Sequence, residues 1–421
     1  MIALSFFLFL FAVFYLLSKL GFKFSLLHFL LLGFTFKLTG LFLMGVDDGE
    51  YTSFEYFLYF LVSFLLGIAV ASALNQRSIK KIERKKVIRI EGFSSFRIDF
   101  FFLSIVLIGF CVYHYFIVGI PLFSEEVETL RFQASHSGFF GLPSRIVNFS
   151  ILFYLVLLLV LYYFKFINIK VLLVFIIFPI LVILFAGFKS SIVVIIHLLI
   201  LTYRLTDNRI KFFYMVVALV PVVIYVFFTF SQYKTLQDQD LFVYILNRLT
   251  VINANTFDYI IDVFHSDYSF GYGYGVLNDL VYPFMRLIGN SDVYTVNTAL
   301  SASFYGVELG DFTVPVTPSI FGYFYLEFGF IGAVILSFLS GWLYVYTYVC
   351  ANKSRTMLKA SLFLFSEYML FIAYGSGNPV YVLVNYSIGI GIIVLIYLMI
   401  KFLRQLLFSS HKAKVVYSRD I

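Results

Sequence analysis

Long apolar runs, interrupted by short polar connections, occupy most of the chain up to residue 401. A helix needs about 20 apolar residues to cross the hydrocarbon core of a bilayer, within a range of about 17–25. Eleven stretches meet or approach this length and predict membrane-spanning helices. They are residues 1–18, 24–45, 54–75, 98–119, 145–164, 171–187, 190–203, 212–231, 318–349, 360–374 and 380–401. Because lipid offers the backbone no hydrogen bonds, the pattern predicts an all-α polytopic membrane protein with a bundle of about 11 transmembrane helices.

The composition agrees with this pattern. Of the 421 residues, 62% are hydrophobic and only 13% are charged, which leaves too little polar sequence to cover such a core in water. A soluble enzyme, a disordered chain and a nucleic-acid-binding module are therefore excluded. The N-terminal residues lack a basic region and a small-residue cleavage site, so they predict a first span rather than a removed signal peptide.

Basic residues orient the predicted bundle. The connection over residues 77–97 contains eight Lys and Arg, and positive charge concentrates on the cytoplasmic side of membrane proteins. Counting outward from it places 23 of the 30 Lys and Arg inside, the N-terminus outside and the basic C-terminal tail in the cytoplasm. The net charge of +7 is therefore mostly topological. We predict a multi-pass membrane protein.

Two of the predicted external connections are long. Residues 1–231 comprise the first eight spans with an external loop at 120–144, residues 232–317 form an 86-residue external loop, and residues 318–421 comprise three spans and the cytoplasmic tail. The larger loop is rich in aromatics and has helical periodicity, so we expect it to be structured.

Within the larger loop, Arg248 lies on or beside a half-apolar helical stripe, and Asn255 and Asp262 follow it at intervals of seven. A guanidinium in such surroundings needs a counter-ion or a phosphate. The ordinary alternative is an ion pair with Asp258 or Asp262. The two alternatives stay open.

Farther along the same loop, glycines alternate with tyrosines before Tyr282 and Arg286. The aromatic faces of Tyr272, Tyr274 and Tyr282, beside carboxylates and amides, suit the C–H faces of sugar rings. The alternative is a Gly-Tyr turn whose tyrosines lie at the membrane interface.

Three more external cations are Arg131, Arg145 and Lys189. Arg131 has neighbouring glutamates as alternative partners, and Arg145 has the option of reaching the headgroups from the end of its span. As a group, the external cations could hold a diphosphate without a metal. Inside the bilayer, Lys37 either extends to the interface or pairs with Glu367, and an intramembrane ion is a functional candidate.

Motifs for other chemistry are missing from the sequence. It contains no Walker-type phosphate loop, no HExxH, no Cys/His metal set, no GxSxG and no dinucleotide fingerprint. We therefore predict no cofactor and no metal. The predicted cytoplasmic loops are too short for a nucleotide-sugar domain, so a donor would arrive from the membrane or the external side.

Four segments resemble one family: GIPLFSEEVETLRF, AGFKSS, NRLT and TPSIFGYFYLEFGFIGAVILSFLSG. With the overall topology, they look like bacterial O-antigen and capsule repeat-unit polymerases of the Wzy type. The resemblance implies a GT-C-like, metal-independent membrane glycosyltransferase with undecaprenyl-diphosphate-linked oligosaccharide as donor and acceptor. It also brings a chain-length regulator protein into consideration as a partner, beside membrane lipids. Many members have an even number of spans, so twelve helices, with span 9 split, is an alternative.

The resemblance assigns roles to specific positions. It implies that Arg131, Lys189 and Arg248, and less directly Arg145 and Arg286, bind the diphosphate or glycan. The proton acceptor would be one of Asp258, Asp262, His265 and Glu308. The function that the resemblance implies is polymerisation of lipid-linked repeat units into O-antigen or capsular polysaccharide at the external, periplasmic face of a bacterial inner membrane. The alternatives are a flippase for the same lipid and an O-antigen ligase.

Overall fold

The computed structural model is helical throughout the part of the chain that it describes. This part comprises residues 2–20, 22, 25–76, 93–124, 142–186, 191–205, 247, 250–266, 271, 273–288, 293–308, 316–354 and 356–417. Its helices are α1 (Ile2–Lys19), α2 (Leu26–Asp48), α3 (Thr52–Leu74), α4 (Phe93–Val118), α5 (Leu142–Arg145), α6 (Ile151–Tyr163), α7 (Ile169–Phe185), α8 (Ser191–Leu205), α9 (Val251–Ser266), α10 (Tyr274–Leu287), α11 (Val296–Tyr305), α12 (Ser319–Lys353), α13 (Met357–Ser376) and α14 (Pro379–Tyr417).

Seven helical segments of the described chain are long and apolar enough to cross a membrane. They are Leu26–Asp48, Thr52–Leu74, Ile98–Phe123, Pro143–Tyr163, Ser319–Lys353, Met357–Ser376 and Pro379–Leu406. Each coincides with a predicted span, which confirms a polytopic helical membrane protein. Predicted spans six and seven are shorter apolar helices, Ile169–Phe185 and Val193–Arg204. Predicted span one corresponds to helix α1, and predicted span eight, residues 212–231, lies outside the described residues. The full number of eleven stays a prediction.

The chain divides into two compact units. The first comprises Met1–Arg84 and Ile196–Val384, and the second comprises Lys85–Ile195 and Asn385–Ile421. In the second unit, polar side chains join the helices: the Tyr154 hydroxyl donates to Ser104 Oγ (2.7 Å), and Ser150 donates to the carbonyl of Gly389 (2.9 Å). The buried Asp99 forms an ion pair with Arg404 (2.8 Å).

The first unit is organised by the close packing of α3 against α12. Ser63 donates to the carbonyl of Val334 (2.8 Å), and a Cβ atom at Gly67 would overlap the carbonyl of Phe338. Contacts therefore advance in the same direction along both helices, which are parallel. Glycine and serine at such a crossing let two backbones approach, as is typical of helices packed in membranes.

An overpacking experiment tests this crossing. Gly67→Ala is expected to lower the free energy of unfolding by about 1–3 kcal/mol, since the added methyl group must displace backbone atoms of α12. Denaturant unfolding in detergent measures the change. Gly33→Ala is the control, because a Cβ atom there meets no atom within 4 Å. Equal stability of the two variants would contradict the packing described here.

Helix α12 is interrupted at Gly329, whose backbone (φ 67°, ψ −172°) is open essentially to glycine alone. Before the break, Phe321 packs on Phe64 and Tyr325 packs on Tyr56; after it, Phe330 also packs on Tyr56. Residues 319–328 thus run toward the start of α3, and the chain then reverses. We call residues 319–328 the re-entrant segment. At about 15 Å it is too short to be a further span.

Helix α9 belongs to the core of the first unit. A Cβ atom at Gly40 of α2 would lie 2.5 Å from the carbonyl oxygen of Thr250 and 2.9 Å from Cβ of Ala254. Phe257 is buried and meets Phe57 edge-on, with 5.2 Å between ring centroids. The start of the described part of residues 232–317 is therefore packed among the spans.

Candidate functional site

Buried polar side chains gather where the 232–317 segment meets the re-entrant segment and the turn between α13 and α14. We call this group the re-entrant cluster; its members are Lys37, Asp279, Asn297, Tyr323, Glu327 and Asn378. All six lie in the first unit. They come from α2, α10, α11, the re-entrant segment and the turn after α13. The cluster thus joins α2, the re-entrant segment and the turn between α13 and α14 to two helices of the 232–317 segment.

Asp279 lies at the centre of the cluster and is fully buried. Its Oδ1 accepts a hydrogen bond from the backbone N–H of Val296 (3.0 Å), and its Oδ2 accepts one from the Tyr323 hydroxyl (2.9 Å). The side chain of Asn378 makes another hydrogen bond to it. The carboxylate therefore holds α10, α11 and the re-entrant segment together.

The surroundings of Asp279 change its acidity. Burial raises the pKa of Asp279 from 3.8 to about 6; the hydrogen bonds from Val296, Tyr323 and Asn378 oppose this rise, and the charge of Glu327 adds to it. The group is still mainly ionised at pH 7. It is, however, a stronger base than an exposed carboxylate, which suits proton acceptance near neutral pH.

The position of Glu327 explains why glycines occur in the segment where they alternate with tyrosines. Its carboxylate accepts a hydrogen bond from the N–H of Gly275 (3.1 Å) and further ones from the backbone of Gly273 and Val276. A Cβ atom at Gly275 would overlap this carboxylate, and one at Gly271 would lie 2.9 Å from it. The N-terminus of α10 is thereby capped by an anion from the re-entrant segment. The close approach of the Glu327 carboxylate explains Gly271 and Gly275, so a bound sugar is not needed to explain them.

Lys37 is buried in α2, and its Nζ donates to the carbonyl of Thr317 (3.0 Å), two residues before the re-entrant segment. The alternative in which Lys37 pairs with Glu367 is therefore wrong. A Cβ atom at Gly377 would lie 2.6 Å from the backbone N and O of Ser319. This contact brings the α13–α14 turn, and with it Asn378, against the same segment.

Glu367 instead pairs with Arg204, and both side chains are fully buried. Arg204 Nη1 lies 2.6 Å from Glu367 Oε2, and Nη2 donates to Asn352 Oδ1 (3.0 Å). The guanidinium also lies over the ring of Tyr348, 4.2 Å from its centroid. Arg204 is one of the 23 Lys and Arg that the charge pattern places on the cytoplasmic side. Arg204 directly follows an apolar run, so the sequence does not indicate that the last turn of α8 is buried in the protein.

The structure places some of the predicted site residues outside the re-entrant cluster. Asp258 is half-buried on α9, while Asp262 on the same helix and Glu308 after α11 are exposed. His265 lies in α9 and Arg286 in α10, but their side chains are outside the described part. Arg145 is half-buried in the second unit and donates to Asn385 Oδ1 (2.9 Å). Arg131, Lys189, Arg248 and Tyr272 lie outside the described residues.

The two described tyrosines of the sugar-stacking hypothesis differ. Tyr274 is exposed at the first turn of α10. Tyr282 is half-buried and meets Tyr381 of α14, with 5.7 Å between ring centroids. These contacts do not test whether either tyrosine stacks on a sugar ring, so that role stays a prediction.

Asp279, Tyr323 and Glu327 are not among the site residues predicted from the sequence. A usable indication existed for Glu327: it is a lone carboxylate in the apolar run YLEFGF, two residues before a glycine. Such an ion is a functional candidate in its own right. Asp279 is likewise a lone acid in a largely apolar amphipathic helix. That Asp279 and Glu327 belong to one site could not be inferred from the sequence, because about 50 residues separate them.

Within the described part of the chain, no group of three or more His, Cys, Asp and Glu could hold a metal ion. Comparison with models of protein families, with curated proteins and with solved structures found no match. The assignment of function therefore depends on the residues and their geometry.

Proposed function

We propose that the protein is a membrane glycosyltransferase that polymerises lipid-diphosphate-linked oligosaccharide repeat units at the external face of a bacterial inner membrane. The substrate would be an undecaprenyl-diphosphate-linked repeat unit, and the product an O-antigen or capsular polysaccharide. No cofactor is part of the proposal. It extends the resemblance of the four sequence segments, and the buried carboxyl Asp279 supports it.

Asp279 is the observation on which the proposal depends. A glycosyl acceptor must lose the proton of its hydroxyl group, and a general base contributes most when its pKa lies near the working pH. With a pKa of about 6, Asp279 fits this requirement. We therefore assign the base to Asp279 in place of Asp258, Asp262, His265 and Glu308. An acceptor hydroxyl would take the place of the Tyr323 hydroxyl at Oδ2.

In the proposed step, the acceptor oxygen attacks the anomeric carbon of the donor glycan. A new C–O bond forms while the bond between that carbon and the diphosphate oxygen breaks. The acceptor proton passes to the Asp279 carboxylate, and the bonding electrons leave with the polyprenyl diphosphate. Cations stabilise the charge that develops on this leaving group. Among the members of the re-entrant cluster, Lys37 is the basic residue, and its Nζ donates to the carbonyl of Thr317.

Arg131, Lys189 and Arg248 remain the predicted diphosphate ligands. Arg131→Ala and Arg248→Ala are expected to reduce glycan polymerisation at least 100-fold, since a group that meets charge in the transition state has an effect of this order. Gel analysis of glycan chain length in cells that express each variant measures it. Lys165→Ala, at a basic position of the predicted cytoplasmic side, is the control. Normal chain length in both arginine variants would refute the assignment.

Transport of the same lipid is the second candidate, and the Arg204–Glu367 pair favours it. Glu367 Oε1 and Arg204 Nε are buried and have no hydrogen-bond partner among the described residues. Charged groups within a membrane frequently mark transport pathways. A flippase would use such a pair to change conformation.

Reconstitution distinguishes the two candidates. Purified protein in lipid vesicles receives a defined, fluorescent, lipid-linked repeat unit without nucleotide or metal. The proposal expects a ladder of dimers and longer products, together with release of the lipid diphosphate. Movement of the labelled lipid across the bilayer without any dimer would establish the flippase instead.

A further inference from the structure

Helix α10 exposes an apolar face. Tyr274, Leu277, Val281, Phe284 and Ile288 recur at intervals of three and four, which aligns them along one side of a helix. Each is exposed, from 38% at Val281 to 77% at Ile288. We call these five residues the α10 stripe. A helix on the aqueous surface of a protein would bury such a stripe.

The opposite side of α10 is buried and contains its polar anchor. Asp279 is fully buried there, and Pro283 is also buried. Helix α10 therefore exposes its apolar side and buries its acidic residue, which is the reverse of a helix that packs its apolar side on a protein core. This inversion is typical of a surface that meets hydrocarbon.

The α10 stripe is continuous with the exposed surface of a membrane-spanning helix. At the start of α10, a Cβ atom at Gly273 would lie 3.7 Å from the ring of Phe328. Phe328 itself is exposed directly before the break at Gly329, and Ile331, Ile335 and Leu339 are exposed after the break, at intervals of four along α12. Since α12 crosses the membrane, this row of side chains faces lipid.

We propose that α10 lies at the membrane surface with the α10 stripe immersed in the hydrocarbon of the bilayer lipids. The stripe contains no charged residue, whereas the acid of α10, Asp279, points into the protein. Amphipathic helices that lie in the interface bury their apolar face to a shallow depth in this way. The occupant of the surface is bilayer lipid. The inference does not depend on the proposed glycosyltransferase reaction.

Tryptophan fluorescence tests the immersion, because Trp342 is the single tryptophan of the chain. Phe284→Trp is combined with Trp342→Phe, and the full-length protein is reconstituted in phosphatidylcholine whose acyl chains are brominated near the headgroup or near the chain ends. Bromine quenches an indole on contact. We expect the indole introduced by Phe284→Trp to be quenched as strongly as Trp342 in the unmodified protein, and more by the shallow bromines than by the deep ones.

Two comparisons complete the experiment. Glu308→Trp in the same background places an indole at an exposed position after α11, and it should remain unquenched. Leu277→Trp provides a second position on the α10 stripe in case Phe284→Trp does not fold. Absence of quenching at both stripe positions overturns the proposal. Absence of quenching with energy transfer between labelled copies would assign the stripe to a second copy of the chain.

Discussion

Replacing Glu367 by Leu is expected to lower the free energy of unfolding by about 3–5 kcal/mol, because it leaves Arg204 buried without its counter-charge. Arginine cannot relieve the penalty by losing its proton, because a guanidinium group stays protonated in proteins. The amide of Asn352 and the ring of Tyr348 remain, but neither neutralises a full charge. Denaturant unfolding in detergent at neutral pH measures the loss.

The double variant Arg204→Met with Glu367→Leu separates the pair from its packing. Replacing a buried ion pair by apolar residues of similar volume is frequently neutral or stabilising, so the double variant should recover most of the loss. Glu308→Leu, at an exposed position, is the surface control and should stay within about 0.5 kcal/mol. A double variant as unstable as the single one would show that packing, and not charge, dominates here.

Asp279→Asn is expected to reduce polymerisation by a factor of about 10²–10⁴, the usual contribution of a general base. The amide has nearly the same shape but cannot accept the acceptor proton. In the wild-type protein, kcat/KM should fall about tenfold for each pH unit below about 6, as Asp279 becomes protonated. The reconstituted polymerisation assay at several pH values measures both effects.

The stability of the fold should change with pH in the opposite direction to the activity, being greater in acid. This difference separates a catalytic role of Asp279 from a structural one. The pKa of Asp279 is higher in the folded chain than the ordinary value of 3.8, so the fold binds this proton more tightly. The contribution of the group to stability is greatest in acid and decreases as the pH rises from about 4 to about 6. Asp279→Asn removes this dependence and should unfold no more easily than the wild-type protein at pH 7.

Two further variants control the assignment. Asp262→Asn changes an exposed carboxylate and should retain activity. Tyr323→Phe removes one hydrogen bond to Asp279 while keeping the ring packed, so it should remain active. If Asp262→Asn abolishes polymerisation while Asp279→Asn does not, the base is Asp262.

The membrane spans were largely predictable, whereas the site was not. Apolar runs identify helices such as α2, α3 and α13 because length and hydropathy are local properties of the sequence. The long ninth run was visible too, but its reversal at Gly329 depends on how Phe321 and Phe330 pack on α3. Of the residues proposed as the base, Asp258, Asp262 and Glu308 lack the buried surroundings of Asp279, and the side chain of His265 lies outside the described part.

By itself, the sequence determined that this chain is a helical membrane protein, since too few polar residues exist to cover so much apolar surface in water. The tertiary structure alone decided which polar groups meet. Lys37 binds the carbonyl of Thr317, Arg204 binds Glu367, and Glu327 caps α10 across a gap of about 50 residues. A buried charge must find a partner wherever packing brings one. That choice depends on distances between segments far apart in the chain, on which hydropathy and spacing carry no information.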